Sequence, residues 1–489
     1  MGNAAALQQQ PPQKKPATTQ STPPPKPAAT QPATTQRPAT TQRPATSQPT
    51  TQQRSVQPRT ATPTPSQPLA GTPKPSVNGH VTPPPSTGGP KSHTEHAYAY
   101  TPPPGAHVTK VGGLSEVREP SGRVVRTDAR GEVRHIETAP GLDGRRTVLS
   151  RGPHGEREVV VGRPGARVVS YGPHRGFVER AVVGRPGYIS RTYVVGGRTY
   201  ARVYHQYGYR GYTYYRYVPG VYYHPRFYGW ASAPWGTPIR YAWYTPVTPA
   251  PWFGFYAGYF TPYPVYASPA LWLTDYVIAA NLRLDYESQQ QPGSNPAAPP
   301  AAAVDESSLT PDVKAAIADE VRQQLLAEQA AAAAPSSAPQ PATESNQAPS
   351  ALSQRYFIAS SNVDLNANGS SCTLTPGDVL ERTGKDADSQ GNVAIQVVSA
   401  KSGDCAPHAV STVDIGTLQE MQNQFREQID SGLEMAANNQ ARGLPQGPPS
   451  GGHPVAEGTA DPVEDAGAQL AAQDSNATKV LAQATPGGI

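Results

Sequence analysis

Cys372 and Cys405 are the only two thiols in the chain. Residues of this type can bridge, ligate a metal or act as nucleophiles. A bridge would close a loop of about 33 residues and add a few kcal/mol by restricting the unfolded chain. Both cysteines fall in a stretch that reads as a small β unit with a thin core, the kind of unit that is stapled in oxidising compartments. A Cys372–Cys405 disulfide is therefore expected, with two separate buried thiols as the alternative. Metal ligation has less to work with. His93, His96 and His107 lie near one another in apparent coil, and no tight Cys/His spacing occurs anywhere. No metal or other cofactor is expected. Nucleophilic or phosphate chemistry has no support either. There is no Gly-x-Ser-x-Gly elbow, phosphate loop, His-Glu-x-x-His or dinucleotide fingerprint. The chain reads as a non-enzyme.

Recognition chemistry is better represented. Arginine is interleaved with tyrosine and glycine over 198–226, and all five tryptophans lie between 230 and 272. The candidate interaction surface comprises Tyr209, Arg210, Tyr212, Tyr214, Tyr215, Arg216 and Tyr217, followed by Trp230, Trp235, Trp243 and Trp252. Such residues can stack on bases while attracting phosphates, which would suit single-stranded nucleic acid. They can equally pair with one another through cation–π contacts and drive self-association, or lie on an anionic envelope polymer. No RNA-binding module signature accompanies them.

The elements that must position these residues follow from composition. Hydrophobic residues make up 36% of the 489, with 57 Pro and 45 Gly, so most segments bury too little area to offset the entropy of ordering. Residues 1–92 form a disordered Pro/Gln/Thr-rich arm, with Ala-Thr-Thr-Gln-Arg-Pro at 33–38 and again at 39–44. It reads as a spacer, or as a ligand for aromatic-grooved modules. Residues 105–204 are a basic Val/Gly β-repeat region. Val-Val-Gly-Arg-Pro-Gly occurs at 160–165 and 182–187, and a hairpin is expected over 122–136. In residues 205–287, rich in Tyr, Trp and Pro, the prolines argue against a packed sheet, and an extended sticky surface is expected. A linker at 288–308 precedes an amphipathic helix at 309–334, capped by Thr310 and striped by Val313, Ile317, Val321 and Leu325. After a linker at 335–350, five short strands with turn signals mark a small β module at 351–414. A helix at 415–436 begins with a Thr417/Glu420 capping box, and 437–489 reads as a disordered tail.

The net charge of +5 conceals a split. By position it runs about +8 in the first hundred residues, about +12 over 105–228 and about −14 from 301 onward, which suggests arms with different partners. No run of about 18 apolar residues exists, so no transmembrane helix is expected. The first residues lack a basic region followed by an apolar core. Export, which the disulfide argues for, therefore implies a start farther upstream.

The segment from Tyr356 through Thr375-Pro376-Gly377-Asp378 to Val398 resembles a bacterial SH3-like module. It shares the short strand, the turn, the Gly-Asp before a strand and the central strand. The Trp and Gly-Trp positions of cell-wall-binding modules are missing. The arrangement is similar to uncharacterised bacterial proteins that join a Tyr/Trp/Pro-rich region to such a C-terminal piece. The resemblance implies a small barrel and an envelope setting, and supplies no activity. The fold class read from the sequence is thus mostly disordered or low-complexity chain, with one small all-β SH3-like module, flanking amphipathic helices and a Val/Gly β-repeat region. The function read from it is that of an envelope-associated or secreted structural or interaction protein. The alternative is an intracellular protein that binds nucleic acid or forms condensates.

Overall fold

A computed structural model describes residues 100–484, apart from 112–113, 143, 153–156, 164, 173, 244–249, 291–307, 335–347, 368 and 439–442. The arm at 1–92 and most of the linkers at 288–308 and 335–350 lie outside the described residues.

The short Val-rich runs become strands because turn residues separate them at close intervals. They are β1 (His107–Val111), β2 (Leu114–Arg118), β3 (Val124–Thr127), β4 (Val133–Glu137), β5 (Arg146–Arg151), β6 (Arg157–Arg163), β7 (Ala166–Gly172), β8 (Arg175–Ala181), β9 (Tyr188–Val195), β10 (Arg198–Tyr209) and β11 (Tyr212–Val218). They pair antiparallel in sequence order, as one 11-stranded meander. The hairpin expected over 122–136 is β3–β4, with Val125 opposite Ile136. Two-residue turns close β9–β10 and β10–β11. Both central residues of each have positive φ: Gly196 and Gly197 at 56° and 77°, Arg210 and Gly211 at 48° and 86°. That backbone matches the right-handed strand twist and explains the glycines.

Period-two alternation gives the sheet two different faces. One carries a transverse apolar row of Val117, Val125, Ile136, Leu149 and Val159, all buried. The other carries Glu179, Arg191 and Arg202 side by side across β8, β9 and β10.

After β12 (Val221–Tyr222) come α1 (Pro225–Ser232), α2 (Pro251–Phe255), α3 (Pro269–Gln289) and α4 (Pro311–Ala333). Each of these helices begins with proline, where the missing N–H costs nothing and φ is already helical. The prolines, read as arguing against a packed sheet, start helices there. The expected sticky surface is in fact the largest apolar core. Phe227, Tyr228, Tyr256, Phe260, Tyr266 and Trp272 pack with aliphatic side chains of α3 and α4 and with Phe425, Ile429 and Leu433 from much later in the chain. Those distant partners supply the aliphatic surface that the aromatic segment lacks. The helix expected at 309–334 is α4, and the Thr310 hydroxyl accepts from Val313 N at 3.3 Å.

Beyond it lie β13 (Tyr356–Ile358), β14 (Val363–Ala367), β15 (Ser370–Leu374), β16 (Val379–Arg382), β17 (Asn392–Ser399) and β18 (Val410–Asp414). They form a four-stranded sheet in the order β13-β16-β17-β18 and a separate β14–β15 hairpin. The folded region is therefore a large antiparallel sheet with helices and a second, smaller β assembly, where the sequence suggested one small module in mostly disordered chain. Next is α5 (Ile415–Ala437). Its cap is Asp414, whose Oδ1 accepts from Gly416 N at 2.8 Å and Thr417 N at 3.3 Å. The Thr417/Glu420 box is not used, because Glu420 is drawn to an arginine of the large sheet.

The expected disordered tail is also corrected. β19 (His453–Pro454) pairs with β12, and α6 (Ala466–Ala484) lies across the apolar sheet face. Ala477, Leu481 and Ala484 cover the row from Val125 to Val159, while Ala466 and Leu470 cover Val168, Val178 and Val194. An alanine-rich stripe carries too little hydrophobicity to announce a helix by itself; the valine face completes it. Among the described residues, no helix is long and apolar enough to cross a membrane.

Candidate functional site

Most of the residues selected as an interaction surface lie on β10, β11 and the turn between them. Their environment is set by α5. The apolar stripe of that helix faces the aromatic core and the smaller β assembly. Its polar stripe faces the large sheet. Arg191 is 3% exposed there. Its Nη1 and Nη2 each lie 2.7 Å from a different oxygen of Glu420, and its Nε donates to Glu179 at 2.9 Å. The guanidinium also sits 4.1 Å from the centre of the Tyr204 ring. Burial works to raise the Glu420 carboxyl, but the Arg191 charge and hydrogen bonds outweigh it and hold the group below the usual carboxylate range. Glu427, about two helical turns farther on, has no such partner at close range. Tyr204 donates to it and also meets the Tyr193 hydroxyl at 2.9 Å. Burial lifts Glu427 to about 7, against the pull of the Tyr204 hydrogen bond and the charges of Arg202 and Arg191.

β11 is the last strand of the meander, so its outer backbone groups need partners. Asn423 of α5 supplies them. Its Oδ1 accepts from Tyr217 N at 3.0 Å and its Nδ2 donates to Tyr215 O at 2.8 Å. Arg426 donates to Tyr217 O at 3.0 Å. The opposite edge, β1, is exposed along its full length.

The selected residues therefore separate into groups. Tyr209, Tyr214 and Tyr217 are buried; Tyr212, Tyr215 and Arg216 are half-buried; Arg210 is exposed and pairs with Asp386 at 2.5 Å. Trp230, Trp235, Trp243 and Trp252 are half-buried around the aromatic core, away from the β10–β11 turn. Trp230 and Trp235 have ring centres 6.3 Å apart, and Trp243 stacks on Trp272 at 6.0 Å while donating to the Tyr266 hydroxyl at 2.7 Å. Cys372 and Cys405 are joined, linking β15 to the loop after β17.

A second ionic cluster ties α3 to the smaller β assembly. Lys401 Nζ lies 2.6 Å from Asp378, 3.5 Å from Asp404 and 3.8 Å from Asp285 of α3. Burial alone would lower the Lys401 ammonium, but the three carboxylates hold it above its usual value. Burial pushes Asp378 up. Tyr256 donates to Asp285 at 2.6 Å, which locks α2 to α3. In both clusters a central cation is shared between carboxylates of different elements, so the chemistry on display is docking. No group of three or more His, Cys, Asp or Glu among the described residues is placed to hold a metal ion.

Sequence reasoning missed Glu179, Arg191, Glu420 and Glu427. The signal existed as the recurrence of Glu420, Asn423 and Glu427 along one stripe of α5, which by itself is indistinguishable from a solvated face. Their partners sit some 200 residues upstream, beyond the reach of periodicity. Comparison with known proteins adds nothing to this picture: no family model matches the chain, and no match was found among curated proteins or among solved structures.

Proposed function

We propose that the chain is a non-catalytic structural or interaction protein that works outside the cytoplasm, in the bacterial envelope or as a secreted protein. One observation carries the reading: the only two thiols of the chain are joined to each other within the small β assembly. Such a link persists in oxidising compartments and is rare where thiols are kept reduced. The buried ionic clusters support the non-catalytic part, because their charges are spent on holding helices to sheets. The 351–414 assembly is read as SH3-like from its sequence resemblance. Its role is that of a stapled folded unit to which α5 is anchored. The adhesive surface narrows to the outward remainder of the selected set: Arg210, Tyr212 and Arg216 at one place, Tyr215 on the opposite face of the strand, and the half-buried tryptophans elsewhere. Anionic envelope polymer or self-association fits those residues. The alternative reading, single-stranded nucleic acid, would have to use the same few groups, since Arg191 and Tyr204 are committed to α5.

The test is fractionation of native cells with thiol alkylation before reduction, read by mass spectrometry. An envelope or secreted location with Cys372 bound to Cys405 is expected. A cytoplasmic location with two alkylated thiols would overturn the reading and turn attention to nucleic-acid pull-downs.

A further inference from the structure

The turn Thr375-Pro376-Gly377-Asp378 leads into β16, whose Val379 pairs with Ser399 at the far end of β17. The residues just outside the two strands, Asp378 and Lys401, are thereby brought together. Both are buried, at 0% and 5% exposure. Asp378 is fixed from two sides. Its Oδ1 accepts from Lys401 N at 3.0 Å and its Oδ2 from Thr375 N at 2.9 Å. Lys401 Nζ lies 2.6 Å from that same Oδ1, so amine and carboxyl touch without any rearrangement. Asp404 Oδ2 is 3.5 Å from Nζ and accepts from the Thr375 hydroxyl at 2.5 Å. Asp285 is farther, at 3.8 Å, and is engaged by Tyr256. Three carboxylates around one ammonium bring an excess of negative charge into a site where even a matched ion pair is costly. Burial pushes Asp378 up against the pull of Lys401, and the neighbouring Asp404 pushes the same way. Asp378 is therefore the carboxyl that holds a proton.

We propose that Lys401 and Asp378 join in an intramolecular isopeptide bond, with Asp404 as the proton acceptor. Lys401 first passes one ammonium proton to the Asp404 carboxylate. The freed amine attacks Cγ of the protonated Asp378 carboxyl and forms the C–N bond. Negative charge develops on Oδ1, where the Lys401 backbone N–H already points. The Cγ–Oδ2 bond then breaks, and Oδ2 leaves as water with its own proton and a second one from Nζ. The products are a neutral amide, one water and a protonated Asp404, so protons and charge balance without a co-reactant. Contact and fixed orientation stand in for the activation that amide formation otherwise requires, and burial shields the product from hydrolysis. The bond would tie the ends of β16 and β17 together close in sequence to Cys405, the anchor of the disulfide. The inference goes beyond the structural reading above and does not depend on the compartment.

The test is mass spectrometry of the purified full chain after reduction, alkylation and tryptic digestion. The expected product is a branched peptide in which Lys401 is joined to Asp378, lighter than its two parts by one water and uncut after Lys401. Fragment ions place the bond. Asp404→Asn keeps both reacting residues and should lower the yield of the branched peptide at least several-fold; an undiminished yield would overturn the role given to Asp404. Absence of any branched species in the unaltered chain, with every Lys401 recovered as a free amine, would overturn the proposal and leave a plain ion pair. A water lost at another residue, with Lys401 free, would overturn it as well. The unaltered chain decides the matter even if the variant fails to fold. Neither result bears on where the protein resides, so fractionation can fail while the bond is found, and the reverse.

Discussion

The two faces of the large sheet are covered by helices in opposite ways. On one face α6 meets the sheet through alanine and leucine on valine. On the other, α5 meets it through Arg191, Glu420, Asn423 and Glu427. The apolar contact is close to indifferent to sliding, because any small apolar stripe fits a valine surface. Only a few polar ties, such as Arg157 to Asp474 and Arg180 to Gln469 at 2.7 Å, fix the position of α6. The polar contact admits one register, because a slip by one residue would strand buried charges. The difference teaches that burial area and positional definition are separate quantities in this protein. The α5 side supplies definition at a cost in desolvation, and the α6 side supplies area.

The sharpest way to break the polar side is Arg191→Ala. It leaves Glu179 and Glu420 facing each other with the central cation gone, and a loss of about 3–5 kcal/mol in urea unfolding is expected. A loss below 1 kcal/mol would show that water or Arg167 takes over. The counterpart on the apolar side is Leu470→Ala, with an expected loss of about 2–4 kcal/mol from transfer and cavity terms. Hydrogen exchange should rise first in α6, with α5 protection unchanged; loss of protection in both helices would mean that the two covers are coupled.

Acidity should act through buried carboxylates and leave the apolar α6 contact untouched. Glu427 is held at about 7 in the folded chain, above its ordinary value near 4.5. The folded state therefore keeps a proton that the unfolded state has released, and this contribution is present below about pH 4.5 and lost as pH rises through 7. Glu158 at about 7 and Glu328 at about 8, both lifted first by burial, act in the same direction. Glu420, held low, acts in the opposite sense at the acid end, losing its contribution as pH falls through its folded value. Glu427 alone should thus make the protein about 2 kcal/mol more stable at pH 5.5 than at pH 8, and Glu427→Gln should remove that part of the slope. An unchanged slope in the variant would remove Glu427 as its source. The smallest effect concerns the start of α5. Asp414→Ala should cost about 1 kcal/mol in thermal or urea unfolding, and Thr417→Ala only a few tenths, since its side chain does not cap. The reverse order would restore the capping box read from the sequence.

What the sequence made legible was local. The β3–β4 hairpin, α4 with its Thr310 cap and the strands around Cys372 and Cys405 each carry their own turn, cap or alternation signals. What it concealed depended on remote partners. α3 is one such element: Trp272 and Ile278 lie in an apolar stretch interrupted by Asp275, yet Lys314 of α4 lies 2.7 Å from that carboxylate. The tyrosines of β10 and β11 looked like surface because the acidic stripe that buries them lies on α5. In α6, Leu470, Ala477 and Leu481 were too sparse to register without the valines beneath them. For the candidate site the same division holds: the cysteine pair was readable, while the Arg191–Glu420 tie needed α5 to be brought to the large sheet by the fold.

The strictly sequential pairing of the meander has a consequence for synthesis. Every strand finds its neighbour within a few residues, so the sheet can zip up locally as the chain emerges. Both of its covers come much later; Arg191 waits 229 residues for Glu420. A nascent chain paused before α5 would present a complete sheet with one bare valine face and with Arg191 answered by Glu179 alone. That intermediate, more than the finished protein, is the form whose exposed apolar surface invites aggregation.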